Sequence, residues 1–300
     1  MRLETSAEAL GRVGLQHIVN IDDVNEMTWW NDICSRKEST TQIYVRKYQV
    51  SGFGQAPVVA EGTTIPTDDI YTGNQKDYRP TKRGLSFYIS TEASESDQYG
   101  ALNNIGKKLR SAFRRTKEQV VANVINNATS ASFTGPDGVA LASASHPLAS
   151  GTDSNLIVGV FGPLALEDML EAHTSTKGHR GDPDPRMGPF NLYVHPTIEA
   201  YAGRVVGSAK LASTDNNDTN KFLTTRIAKI VASPYFTSTT FYSTRSASDE
   251  HGLFFLTRRG IRVKSEEIKS KDLNAYYTTE MYLASFDDWR GYQHSAGTGS

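Results

Sequence analysis

The amino-acid sequence predicts an α+β fold, and three observations support this prediction. A long amphipathic helix lies near the middle of the chain, and short segments rich in β-branched and aromatic residues stand on both sides of it. A long connection rich in glycine and proline joins two of these segments. Three hundred residues are enough for one large domain, or two smaller ones, with a buried core.

Composition narrows the classes of protein that fit this fold. The formal net charge is −1, so no global charge draws the chain onto nucleic acid or an anionic membrane. Cys34 is the single cysteine, which excludes an intrachain disulfide and fits a reducing cytosol. The first ten residues lack the apolar centre of a secretory signal, and no apolar run approaches the ~18 residues of a membrane span. We therefore expect a soluble protein with no membrane partner.

The first part of the chain predicts a short helix ending near Ile33 and then two strands, at 43–50 and 85–89. The connection at 51–84 has no helical period, yet it contains isolated large apolar side chains: Phe53, Val58, Ile65 and Tyr71. An extended hairpin arm cannot bury such side chains on itself. We therefore predict that a second subunit buries them.

A helix is predicted over 97–127, because apolar residues recur there every three or four positions. At 1.5 Å per residue this helix is about 45 Å long. It contains far more residues than the average helix of a globular protein, which has about 11. The helix also concentrates positive charge, since six cations face one carboxylate: Lys107, Lys108, Arg110, Arg114, Arg115 and Lys117 against Glu118. The period places Arg110, Arg114 and Lys117 on one side of the helix.

The second half of the chain predicts two further helices, which begin at Pro163 and Pro196, where a first helical turn tolerates proline. Strands are predicted at 191–194, 227–231, 239–242, 253–256 and 261–263, and an alternating pattern predicts a half-buried strand at 273–283. Residues 294–300 are small and polar, and we expect them to form a tail.

No catalytic motif is present: the sequence has no nucleophile elbow, zinc-protease motif, phosphate loop or dinucleotide fingerprint. Ser145, His146 and Asp153 are the nearest approach to a hydrolase triad. They lie in one turn-rich segment, whereas a triad needs groups that converge from a rigid scaffold. A solvated turn is the favoured interpretation, and a hydrolase using His146 is the minor alternative.

Side chains that could bind a metal ion are close together in the segment 173–184, which contains His173, His179, Asp182 and Asp184. Cations are interleaved with these residues and repel a metal ion, so we interpret the segment as a charged surface loop. We therefore expect no catalytic residues, no cofactor and no metal.

Several short stretches carry a resemblance to a known family. They are residues 52–57 (GFGQAP) leading to 61–62, 78–85 (YRPTKRGL), 135–138 (GPDG) with 145–148 (SHPL), and 192–196 (LYVHP). Together with the order of elements, they make the chain resemble tailed-phage major capsid proteins of the Johnson fold. The nearest resemblance is to the major head subunits of Mu-like phages. The resemblance extends over nearly the whole chain.

The resemblance implies a division of the chain. Its parts are an N-terminal arm at 1–45, an extended β-hairpin loop at 46–92, the spine helix and first part of a peripheral domain at 93–160, an axial domain at 161–244, and the second part of the peripheral domain with a tail at 245–300. It also implies hexamers and pentamers that form an icosahedral head around double-stranded DNA, assembled in the host cytoplasm. Only about forty residues precede the hairpin loop, so a separate scaffolding protein is implied, as is a portal.

Two questions stay open at this stage. The basic helix either pairs with carboxylates such as Glu266, Glu267, Asp287 or Asp288, or turns Arg110, Arg114 and Lys117 toward packaged DNA, whose phosphates they contact without reading sequence. The alternative function is another phage structural protein, either a tail tube or a decoration subunit. A tail tube is normally shorter and lacks the spine helix.

Overall fold

The computed structural model describes residues 16, 29–34, 36–70, 72–90, 92, 101–208, 220–247 and 252–298, without the side chains of 101–103 and 221. The helices are α1 (Trp29–Ile33), α2 (Ala101–Asn126), α3 (Pro163–Thr174), α4 (Pro196–Gly207) and α5 (Lys221–Arg226). The strands are β1 (Arg36–Ser39), β2 (Val45–Val50), β3 (Thr72–Tyr78), β4 (Thr81–Ser90), β5 (His146–Pro147), β6 (Thr152–Asp153), β7 (Leu156–Ile157), β8 (Phe190–Val194), β9 (Ile227–Ala232), β10 (Tyr242–Ser246), β11 (Leu253–Ile268), β12 (Leu273–Phe286) and β13 (Tyr292–Ser295). The predicted α+β class is confirmed.

A four-stranded sheet in the order β1-β11-β12-β4 supports the long helix. Strands β11 and β12 form its antiparallel centre, and β1 runs parallel to β11 at one edge. Helix α2 packs on one face, where Leu109 and Phe113 contact Val263 and Tyr276. Its 26 residues make it about 39 Å long. The predicted spine helix is therefore confirmed over its described part.

A five-stranded sheet in the order β7-β13-β10-β8-β9 forms the second layer. Helices α3 and α4 pack on it through an apolar core that includes Leu166 and Leu170 of α3, Val205 of α4 and Leu192 of β8. Proline occupies the first turn of both helices, as the sequence predicts.

The central core joins the two sheets to α1 and to the C-terminal half of α2. Trp30 of α1 lies 4.8 Å from the Phe255 ring, and Trp29 lies 6.3 Å from the Tyr235 ring. The two neighbouring tryptophans point apart, yet both contact this core. Each helix described is too short or too polar to cross a membrane.

Three expectations about the strands were wrong. The strand predicted at 239–242 is β10, which begins only at Tyr242 and ends at Ser246. The polar tail predicted at 294–300 does not begin at His294, because His294 and Ser295 belong to β13 (Tyr292–Ser295), which is buried between β10 and β7. Polar side chains are tolerated there because they are hydrogen-bonded: Tyr292 Oη lies 3.1 Å from His294 Nδ1, and Ser295 Oγ donates to the Gly159 carbonyl at 3.1 Å. The predicted strands at 253–256 and 261–263 are one strand, β11, which two register shifts interrupt.

Candidate assembly surfaces

The hairpin arm has a paired base and an unpaired tip. Strands β2 and β3 form the base, and residues 51–70, here called the arm tip, connect them without regular secondary structure. Residues 81–90 of the predicted loop return to the four-stranded sheet as β4. The domain boundaries implied by the family resemblance stay predictions.

An apolar cluster and a buried hydrogen bond fix the arm base to the body. Val45 and Tyr78 pack against Phe254 and Leu256 of β11. The Tyr78 hydroxyl donates to the Phe286 carbonyl at 2.5 Å. Burial raises the pKa of Tyr78 well above its usual range, so this hydroxyl stays protonated and remains a donor.

A network of four charged side chains surrounds the same junction. Arg36 and Lys47 each bind both Glu38 and Asp287, with Lys47 Nζ 2.5 Å from Glu38 and 2.9 Å from Asp287. Lys47 Nζ also lies 3.8 Å from the centre of the Phe254 ring. Hydrogen bonding and charge from the two cations hold the pKa of Glu38 below its usual value, against the effect of burial. The network therefore fixes the direction in which the arm leaves the body.

The arm tip is closed at its root by a clamp of three residues, Gly54, Asp68 and Arg180. One Asp68 oxygen accepts the Gly54 backbone N–H at 2.7 Å, and Arg180 Nη1 lies 2.9 Å from both Asp68 oxygens. The Gly54 amide and Arg180 lower the pKa of Asp68 below its usual value. Arg180 belongs to the loop that connects α3 to β8, so the tip is fixed to its own chain at one point.

The tip exposes the apolar side chains singled out from the sequence. The exposed fraction is 65% for Phe53, 102% for Val58 and 75% for Ile65. Tyr71 lies outside the described residues. Burial of these side chains by a second subunit stays a prediction, and their exposure in the isolated chain agrees with it.

Among the described residues, the basic helix forms an ion pair between Lys117 and Glu280 of β12. Lys117 Nζ lies 2.6 Å from Glu280 Oε1, and only 3% of the Glu280 side chain is exposed. Burial raises the pKa of Glu280, while Lys117 and Arg83 oppose that shift. Sequence reasoning missed this carboxylate. The available signal was its place among Tyr276, Thr278 and Tyr282 on the buried side of an alternating strand.

The carboxylates suggested from the sequence have other partners or positions. Asp287 binds Arg36 and Lys47, and Asp288 lies 3.0 Å from Arg290. Glu266 and Glu267 are exposed on β11. Arg110 and Arg114 are half-buried on α2, and contact of Arg110, Arg114 and Lys117 with DNA stays a prediction.

A buried carboxylate joins α2 to α1. Glu118 is 2% exposed and faces the first backbone amides of α1. Burial raises the pKa of Glu118 to about 7, although the amides of Trp30 and Trp29 and the charge of Arg114 lower it in part. The contact between the two helices therefore includes a group that titrates near neutral pH.

A family model described as phage capsid protein matches residues 73–295. The chain belongs to the phage capsid protein family. It is a structural component of the virion, a major capsid protein that self-assembles into the shell of a phage head. No curated protein sequence matches the chain.

Solved capsid structures share the fold of this capsid protein. The capsid of cyanophage P-SCSP1u is 11% identical, with a TM-score of 0.62 and coverage of 93% of this chain and 91% of that chain. The mature capsid of bacteriophage PhiM1 is 11% identical, with a TM-score of 0.59 and coverage of 92% and 89%. A virus-like particle from Pyrococcus furiosus is 11% identical, with a TM-score of 0.56 and coverage of 96% and 98%. The predicted Johnson fold is confirmed, and the nearer resemblance to Mu-like phages stays a prediction.

The geometry around His146 argues against a hydrolase site in the capsid protein. His146 is fully buried and stacks 4.2 Å from the Trp289 ring. Its Nδ1 lies 2.8 Å from Asp137, and its Nε2 lies 3.0 Å from Asn155, whereas Asp153 accepts the Lys177 backbone N–H. Both ring nitrogens are therefore used for structure, and no described serine hydroxyl is placed against them.

The candidate metal-binding side chains of segment 173–184 do not come together at one site. His173 is buried under β10, with Nε2 2.9 Å from Thr244 Oγ1 and its ring stacked on Phe190. Within the described ranges, no three side chains of histidine, cysteine, aspartate or glutamate are grouped to hold a metal ion. Asp184 binds Arg186 at 2.9 Å instead.

Proposed function

We propose that this capsid protein assembles as hexamers and pentamers into the icosahedral head of a tailed phage, around a double-stranded DNA genome. The observation that carries this proposal is the arm tip. Phe53, Val58 and Ile65 are exposed on a segment that is fixed to the body only at its root. Burying one large apolar side chain contributes about 1.5–3 kcal/mol. Repeated contacts of this kind sum through multivalency to hold a closed shell.

Assembly needs no chemistry from the protein, so the proposal includes no active site and no cofactor. Its partners are other copies of the chain, a scaffolding protein, the portal and packaged DNA. Assembly takes place in the host cytoplasm. Electron microscopy of the purified protein, alone and with the scaffolding protein, tests the function. Closed shells are expected; tubes indicate a tail tube, and single small particles indicate a decoration subunit.

The proposal assigns contact with packaged DNA to Arg110, Arg114 and Lys117. The position of these residues on one side of α2 supports this assignment. Because Lys117 also pairs with Glu280, the test has to separate loss of this ion pair from loss of DNA contact. The test changes Arg110, Arg114 and Lys117 to glutamine together, beside Lys117→Gln alone, which measures the effect of breaking the ion pair with Glu280. If these arginines face the lumen, shells form normally but full particles become rarer. If they pair with carboxylates, shell assembly itself weakens. Unchanged assembly with unchanged DNA content contradicts both interpretations.

A further inference from the structure

Two short stretches of the sequence, 135–138 and 145–148, meet at a buried histidine beside the central core. His146 is fully buried, and only 3% of the Asp137 side chain is exposed. The Nδ1 atom of His146 lies 2.8 Å from Asp137 Oδ2, and its Nε2 atom lies 3.0 Å from Asn155 Oδ1. Both ring nitrogens therefore face an oxygen atom.

The orientation of the Asn155 side chain decides which partner donates at Nε2. Asn155 Oδ1 accepts the Ser143 backbone N–H at 2.9 Å. Asn155 Nδ2 donates to the carbonyls of Leu141 and Tyr292, at 2.7 and 3.2 Å. Exchanging the two amide atoms breaks all three hydrogen bonds, so the network fixes the orientation. The atom that faces His146 is therefore an oxygen, which accepts, and Nε2 carries a proton.

The other ring nitrogen faces a carboxylate. Asp137 Oδ1 accepts the Val139 backbone N–H at 3.2 Å, and such a hydrogen bond favours the ionised carboxylate. Because an ionised carboxylate only accepts, the contact between His146 Nδ1 and Asp137 requires a second proton on the ring. A neutral ring with its proton on Nε2 sets the lone pair of Nδ1 against the carboxylate. The geometry therefore favours an imidazolium whose charge Asp137 balances.

The side chains around this pair agree with a positive ring. His146 stacks on Trp289 with 4.2 Å between ring centroids, and the face of an indole attracts a cation. Asp153 lies opposite His146 in the pair of β5 and β6, where it accepts the Lys177 backbone N–H. From β13, the Tyr292 carbonyl binds Asn155, as described above, and the His294 backbone N–H donates to the Asn155 carbonyl.

Two cations lie near the pair, and each has another partner. Lys76 of β3 donates to the Thr134 carbonyl. Burial lowers the pKa of Lys76, and the charge of Asp137 opposes that shift. Arg290 lies over the Trp289 ring and binds Asp288 at 3.0 Å. His146 is therefore the cation in direct contact with Asp137.

Two other buried histidines provide a contrast within the same molecule. His173 Nε2 lies 2.9 Å from the Thr244 hydroxyl, and His294 Nδ1 lies 3.1 Å from the Tyr292 hydroxyl. Burial lowers the pKa of His173 to about 3 and that of His294 to about 4, so both rings are neutral at pH 7. A hydroxyl can donate or accept and therefore suits a neutral ring. The carboxylate and the fixed amide oxygen beside His146 offer no such choice.

We propose that His146 is a buried imidazolium held by Asp137, and that this charge pair is a proton-dependent lock on the turn at 134–140. A bridge between Thr134 and Ala140 closes this turn. The turn supports the arm base, since the Thr134 carbonyl binds Lys76 of β3. Loss of the proton sets Nδ1 against the carboxylate and releases the turn. The lock belongs to the single subunit and does not depend on the proposed function.

Nitrogen-15 NMR of subunits labelled at histidine tests the charge of the ring, because an imidazolium and the two neutral tautomers give different pairs of nitrogen shifts. The spectrum is recorded at pH 8, where an exposed histidine is mostly neutral. His146 is expected to carry two ring protons, whereas His173 and His294 in the same sample carry one each. The signal of His146 is assigned by its absence from His146→Gln or, if that variant does not fold, by contact of the ring with Trp289.

Asp137→Asn tests the cause with a side chain of nearly equal shape. In this variant His146 is expected to carry one ring proton, on Nε2, because the new amide can donate to Nδ1. Hydrogen exchange of the amides at 134–140 is expected to become about tenfold faster, while that of β8 is unchanged. The matched control is Asp153→Asn, which removes a neighbouring carboxylate that does not contact the ring. It is expected to leave both the ring protons and the exchange rates as in the wild type.

Three results overturn the inference. A single ring proton on His146 in the wild type at pH 8 shows that the ring is not an imidazolium. Two ring protons on His146 in Asp137→Asn show that Asp137 does not hold the charge. Equal exchange rates at 134–140 in the wild type and in Asp137→Asn show that the pair does not lock the turn. If Asp137→Asn does not fold, the wild-type spectrum still decides the charge of His146.

Discussion

The arm tip and the five-stranded sheet place the same kinds of side chain in opposite environments. In the sheet, Phe190, Leu192 and Val194 of β8 are fully buried under α3 and α4. In the tip, Phe53, Val58 and Ile65 are exposed. Under the proposed function, stability of the subunit and assembly of the shell are encoded in separate regions. A substitution in one region therefore separates the two properties.

The largest expected effect lies in the sheet. Phe190→Ala leaves a cavity beside His173 and is expected to lower the free energy of unfolding by about 3–5 kcal/mol. Phe53→Ala is the matched control: it removes the same ring from an exposed site and is expected to change the free energy of unfolding by less than about 0.5 kcal/mol, while lowering shell yield. Urea unfolding of unassembled subunits measures the first property, and sedimentation of shells measures the second. Equal destabilisation by both variants contradicts the comparison.

The next effect concerns the ion pair between α2 and β12. Lys117→Met leaves the buried carboxylate of Glu280 without its nearest cation. We expect a loss of about 2–3 kcal/mol in the free energy of unfolding at pH 7, at or below the lower end for a broken buried pair, since Lys117 is partly exposed and Arg83 remains nearby. The double variant Lys117→Met with Glu280→Met is expected to recover most of this loss. No recovery in the double variant means that the pair does not account for the effect.

The sequence predicted regular elements better than buried polar contacts. Helices α2, α3 and α4 follow from hydrophobic period and proline position, because both act locally. Strand β13 was missed because its residues are polar, and only burial between β10 and β7 makes it a strand. The same limit applies to Glu280 and to the Asp68–Arg180 clamp, whose partners are far apart along the chain. The exposed apolar tip was predictable because its sequence offers no local partner.

A smaller effect is expected from pH at the contact between α1 and α2. Burial raises the pKa of Glu118 from about 4.5 to about 7. The stability that this carboxyl contributes is therefore complete below about pH 4.5 and is lost as pH rises through about 7. Glu118→Gln mimics the protonated form, so it is expected to be more stable than the wild type at pH 8 and equal to it near pH 4.5.

Chemical unfolding of both proteins across this pH range measures the Glu118 effect as a difference. Burial lowers the pKa of His173 to about 3 and that of His294 to about 4. Their contribution to the stability of the folded subunit is therefore complete above about pH 6.5 and is lost as pH falls. This contribution of the two histidines has the opposite pH dependence, but it is the same in the wild type and in Glu118→Gln. It therefore cancels from the difference between the two proteins. A difference that does not vary with pH contradicts the assignment to Glu118.

The smallest effect on the subunit is expected at the clamp. Arg180→Gln removes both contacts to Asp68 at an exposed site, and exposed ion pairs contribute little to folding. We expect an unchanged melting temperature but slower assembly, because a tip that is no longer fixed at its root loses more conformational freedom on docking. Light scattering during assembly measures this rate. Arg204→Gln, at an exposed cation of α4, serves as the control, and equal rates for both variants exclude an orienting role for the clamp.

The central claim is that the arm tip serves assembly and not folding, and one deletion tests it most directly. Asp68 holds the Gly54 amide at 2.7 Å, so two glycines in place of residues 55–67 remove Val58 and Ile65 and leave the clamp and the arm base intact. Mass photometry and electron microscopy of this variant, beside its melting curve, give both answers from one preparation. The account predicts a folded subunit with a wild-type melting temperature and no closed shells. Regular closed shells from the shortened chain contradict it.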